Sequence, residues 1–94
     1  MKTFVMISSL TSQGARTIKT KPERIKEVNE EVEKMGGKIL CQYAILGPFD
    51  FITIISAPDE KTAAKISLEI SQRGSVKITT YPAIDVDEFI KSLK

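Results

Sequence analysis

Apolar positions along the chain follow two rhythms, and the switches between them mark the elements. Lys2–Ser9 (KTFVMISS) is apolar on both alternating sets, with Phe4 and Met6 on one and Val5 and Ile7 on the other. A strand apolar on both sides is one covered on both sides. Leu10–Lys21 (LTSQGARTIKTK) is polar, with Gly14 inside it, and reads as a long connection of the kind that often carries function. In Pro22–Met35 the rhythm becomes helical. Ile25, Val28, Val32 and Met35 form one stripe, and Glu27, Glu30, Glu31, Glu33 and Lys34 face water. Thr20 and Glu23 have the spacing of a capping box, Pro22 suits a first turn, and Gly36-Gly37 provide a left-handed stop.

Two β-rich runs, Lys38–Leu46 (KILCQYAIL) and Phe49–Ser56 (FDFITIIS), flank Gly47-Pro48 and read as a hairpin. Asp59 opens a helix that runs through Gln72, with Ala63, Ala64, Ile66 and Ile70 on its buried side and Leu68 beside them, and Gly74 ends it. Ser75–Tyr81 is a fourth strand, stopped by Pro82. Asp85 and Glu88 repeat the capping-box spacing for a short last helix striped by Val86, Phe89, Ile90 and Leu93.

The order β-α-β-β-α-β plus a terminal helix predicts one ferredoxin-like α+β domain over residues 1–94. Its four-stranded antiparallel sheet carries both helices on one face. The other face is then bare yet apolar, and the last helix is too short to cover it. A second copy of the sheet is the expected cover, which gives a homo-oligomer.

Composition narrows the chemistry. The chain has no His and one Cys, which excludes His-ligated metal sites, Ser-His-Asp triads, Cys-His dyads and an internal disulfide. No metal and no cofactor is expected. Net charge is +2, too little to imply nucleic acid, and the aromatic, basic signature of a sheet that binds RNA is missing. The longest apolar run, Phe51–Ile55, is far short of the ~20 residues that cross a bilayer, and the N-terminus lacks a cleavage site, so a cytoplasmic location is expected.

Several short motifs resemble the GYD domain family. They are Gly47, Phe49 and Asp50 in LGPFDFITI, Ala57–Lys65 (APDEKTAAK), Thr11, Gln13 and Gly14, Gly36-Gly37, and Gly74-Ser75-Val76. The resemblance spans nearly the whole chain and implies a ferredoxin-like fold related to dimeric α+β barrels, with no particular reaction. Phe49 stands where the family usually has Tyr, so a role for that phenol is absent.

Five residues are candidates for ligand binding. Arg16 and Lys19, in a basic segment leading to a helix N-terminus, suit a small anion, and Gln13 adds an amide nearby. Tyr43 and Asp50 are linked by the hairpin. A two-residue turn at Gly47-Pro48 pairs Leu46 with Phe49, Ile45 with Asp50 and Tyr43 with Ile52, which puts Tyr43, Ile45, Asp50 and Ile52 on one side. The expectation is that this patch faces the space between two sheets, with Gln13 and Lys19 arriving from the long connection. Asp50 also has a plainer role, as a turn residue that accepts backbone N–H groups. Cys41 reads as an inert strand thiol. The leading functional reading is a module that binds a small ligand or a partner. The alternative is a small cofactor-independent enzyme, monooxygenase- or isomerase-like, which would require polar groups converging in an apolar cavity.

Overall fold

The computed structural model describes all 94 residues, Met1–Lys94. The chain runs β1 (Lys2–Leu10), α1 (Ser12–Thr20), α2 (Arg24–Lys34), β2 (Lys38–Ala44), β3 (Phe51–Ala57), α3 (Glu60–Ser71), β4 (Val76–Ala83) and α4 (Val86–Ser92). The strands form one antiparallel sheet in the order β2-β3-β1-β4, the arrangement of a ferredoxin-like fold.

Alternation along each strand decides what the sheet buries. Phe4 and Met6 of β1 and Thr53, Ile55 and Ala57 of β3 point to the helices and are buried. They meet Val32 of α2 and Ala63, Ile66 and Ile70 of α3, which completes the core, and Ile55 and Ile66 are fully enclosed. Asp59 caps α3 by accepting the Thr62 N–H at 2.8 Å.

The segment read as a polar connection is a helix, α1. Thr11 is its N-cap and accepts the Gly14 N–H at 3.1 Å. Gly14 serves close approach: a Cβ there would lie 2.0 Å from the Ser75 carbonyl oxygen. The Thr20–Glu23 capping box does not form, because Thr20 belongs to the last turn of α1 and its hydroxyl donates to the Arg16 carbonyl. Helix α2 therefore starts at Arg24 with no side-chain cap.

Nor does Pro82 stop the fourth strand. It sits within β4 opposite Phe4, and β4 is an edge strand, where a missing N–H need not interrupt the ladder.

Helix α4 stands apart from the body. Asp85 caps it through the Asp87 and Glu88 N–H groups, yet none of its residues is buried. This projection gives a 51 Å long axis and a radius of gyration of 14.1 Å, against about 12 Å for a compact chain of this length.

Candidate functional site

Three of the short motifs meet where β1 ends. The Thr11 hydroxyl donates to the Gly74 carbonyl at 2.7 Å, and the Thr11 N–H donates to the Ser75 carbonyl at 3.0 Å. Gly14 seats α1 directly on that same backbone. From the other side, Asp50 donates its N–H to the Ser8 carbonyl at 2.9 Å and accepts the Leu10 N–H on Oδ2 at 2.7 Å. Asp50 is thus a backbone clamp, in keeping with the plainer of its two roles, though it holds β1 rather than its own turn. Asp50→Ala leaves a part-buried N–H without its acceptor and should cost about 1–3 kcal/mol. Chemical denaturation of the two proteins measures that difference, and Asp50→Asn, which keeps an acceptor, should recover much of it.

The hairpin register is as the even turn requires. Tyr43 pairs with Ile52 and Ala44 with Phe51, and the Ile45 N–H donates to the Asp50 carbonyl at 2.9 Å. Tyr43 therefore stands on the open face of the sheet and is 62% exposed.

Two apolar rows cross that open face. One runs Tyr43–Ile52–Ile7–Thr79, the other Cys41–Ile54–Val5–Tyr81. At their centre Ile7, Ile52, Val5 and Ile54 form a continuous, half-buried aliphatic block on the two inner strands, on the face turned away from the helix-side core. The stripe of α4 is unpartnered: Val86, Phe89, Ile90 and Leu93 are all exposed. Position-by-position alternation made the sheet face legible in the sequence. The exposure of the α4 stripe was not, since capping and periodicity say nothing about where a helix packs.

Gln13, Arg16 and Lys19 sit three residues apart on the exposed surface of α1, in the helix layer, and neither cation is ion-paired. They share a helix face with one another and not with Tyr43. The basic segment is itself a helix, the one Thr11 caps, and at the start of α2 the N–H groups of Arg24, Ile25 and Lys26 are already taken by the carbonyls of Lys21, Pro22 and Glu23.

A cavity of about 120 Å³ lies between α1, α2 and the inner face of the sheet. Within its lining, Asn29 and Gln42 exchange hydrogen bonds at 2.8 and 3.3 Å, and Gln42 also donates to Thr53 at 3.0 Å. Glu31 binds Arg73 and Arg24 together, which ties α2 to the end of α3. The Arg73 guanidinium first, then Arg24, holds the Glu31 carboxyl below its ordinary value of 4.5 against the opposing effect of burial. Glu31 is therefore a fixed anion at neutral pH and not a proton carrier. The polar groups of the lining are two amides, several hydroxyls and the ion-paired guanidiniums of Arg24 and Arg73, which recognise and do not readily transfer protons. The pocket expected between two sheets would need a second copy of the chain; this one lies on the helix side of the same sheet, walled in part by α1.

The GYD domain family model matches residues 4–93 of the chain. A curated protein of Thermus thermophilus, the glutamine synthetase and cystathionine beta-lyase binding protein, is 47% identical over 95 residues and covers the whole of both chains. A crystal structure of another Thermus thermophilus protein superposes with a TM-score of 0.57 at 15% identity, over 90% of this chain and 95% of that one. That likeness is one of fold.

Proposed function

The chain belongs to the GYD domain family, and on that footing we propose that it is a protein-binding module whose open sheet face is the contact surface. The single observation that carries the reading is the continuous block of Val5, Ile7, Ile52 and Ile54 on the sheet face opposite the helices. Scattered exposed aliphatics are ordinary, but a contiguous patch on a flat sheet marks an interface.

The first partner is a second copy of the chain. Strands of 7–9 residues, four abreast, offer a footprint of about 450–550 Å² per copy. Two such faces supply about 1,000 Å², the lower edge of a stable interface. The exposed stripe of α4 provides the remainder if each arm lies on its neighbour.

The second class of partner is a metabolic enzyme. The Thermus thermophilus relative is named for binding glutamine synthetase and cystathionine beta-lyase, and full-length similarity at 47% makes enzymes of these kinds the candidates here. Gln13, Arg16 and Lys19, free on α1, are in this reading a polar surface for an acidic partner or a small anion. No membrane partner is proposed, and no helix is long and apolar enough to cross a membrane.

Size-exclusion chromatography with light scattering tests the reading, first on the protein alone and then with each purified enzyme. The expected result is a particle of at least twice the 10.4 kDa chain mass, and co-elution with one of the enzymes. A monomer at tens of micromolar that co-elutes with neither enzyme ends the proposal.

A further inference from the structure

The cavity between the helices and the sheet has no part in the protein-binding reading, and its lining describes an occupant. Its walls are aliphatic, from Met6, Ile25, Val28, Val32, Ile39 and Ile70. At about 120 Å³ it is slightly smaller than the ~150 Å³ apolar cavity that takes up benzene, so the part of a ligand held inside its open mouth has about five or six non-hydrogen atoms.

Hydrogen-bond bookkeeping gives the polar end. Gln42 spends both amide N–H groups, one on Asn29 and one on Thr53. Asn29 spends one N–H on Gln42 and keeps the other, and Thr53 accepts from Gln42 and retains its own O–H. The unspent capacity is two donors, an amide N–H and a hydroxyl, and one further lone pair on each of the Asn29, Gln42 and Thr53 oxygens. Each oxygen already accepts one bond, and buried sites tolerate an orphaned donor less well than an under-used acceptor, which favours an acceptor oxygen on the ligand.

Charge is excluded by the arginines. Arg24 is held by Glu27 and Glu31, Arg73 by Glu31 and Glu69, and Lys21 also pairs with Glu27, so three cations meet three carboxylates. No uncommitted cation remains to receive an anion, and burying an unpaired carboxylate is costly.

We propose that this cavity is a binding site for a small uncharged molecule with an apolar body and one carbonyl-type oxygen, received by Asn29 and Thr53. Gly14 and Ser75 contribute to its wall, so the close packing of α1 on the α3–β4 turn also shapes the site.

Three probes of five or six non-hydrogen atoms test this on the wild-type protein by methyl NMR: cyclopentanone, cyclopentane and cyclopropanecarboxylate. The expected result is saturable shifts at the Ile25, Val28 and Ile39 methyls with the ketone. Cyclopentane should bind about fivefold more weakly, in line with one hydrogen bond, and the carboxylate should give no shift. Val28→Phe, which fills the space, should abolish the ketone shifts while the protein remains folded by its amide spectrum. Absence of saturable shifts at these methyls, or equal binding of ketone and carboxylate, overturns the proposal. So does ketone binding that survives in a folded Val28→Phe protein. None of these outcomes depends on self-association or on an enzyme partner.

Discussion

Gly14→Ala is expected to destabilise the domain by about 3 kcal/mol, a fall in Tm of roughly 12–24 °C for a chain of this size. One added methyl has this effect because of what it meets. Its Cβ would lie 2.0 Å from the Ser75 oxygen and 2.9 Å from the Ser75 carbon, and both are backbone atoms with no rotamer to move. The junction is also held on both sides of the clash. The Thr11 N–H and hydroxyl bond the Gly74 and Ser75 carbonyls, and the Gly14 N–H bonds the Thr11 hydroxyl. Relief therefore requires α1 to lift from the α3–β4 turn and give up several hydrogen bonds together. Gly36→Ala is the informative comparison. There the strain is conformational, from a φ of 102°, and the nearest atom is a flexible Thr62 methyl at 3.6 Å. Its cost should stay near 1 kcal/mol. Thermal denaturation of the two variants beside the wild type separates the cases. A Gly14→Ala protein within a few degrees of wild type would mean that α1 does not bear on Ser75.

Gly14 also shows where the sequence ceased to be legible. The strands, the hairpin register, α2, α3 and the cap at Asp59 all followed from periodicity and turn chemistry, which are local. Helix α1 did not. Its one sizeable aliphatic, Ile18, leaves it no stripe, and a glycine three residues past Thr11 reads as a break. What makes the helix possible is a contact with Ser75, 61 positions away in the chain, and no local pattern carries that information. The cavity was hidden for the same reason, since α1 forms part of its wall. Likewise Asp50 was visible as a turn carboxylate, but its partner, the Leu10 N–H, is supplied by the pairing of β1 with β3. The motifs at Thr11–Gly14, Asp50 and Gly74–Ser75 were legible one by one. That they build one junction was not.

Ile54→Lys is expected to convert the proposed self-associated form into a folded monomer. Ile54 lies on β3 between Cys41 and Val5, at the centre of the open face, while its neighbours Thr53 and Ile55 point into the helix-side core. A lysine there can extend into water in the isolated chain and touches none of the core residues, so the domain should keep its fold. In a symmetric pair the same position recurs on both subunits. The two substitutions then bury two like charges against aliphatic side chains. At a typical 2 kcal/mol or more for each central residue, the combined loss is about 4 kcal/mol, roughly a thousandfold in dissociation constant. Sedimentation velocity over a dilution series measures the shift, with circular dichroism as the check on folding. Glu33→Gln, on the exposed side of α2, makes the same one-unit change in net charge away from the sheet and should leave the oligomer mass unchanged. If Ile54→Lys is folded and sediments like the wild-type oligomer, the sheet face is not the interface, and attention moves to the stripe of α4.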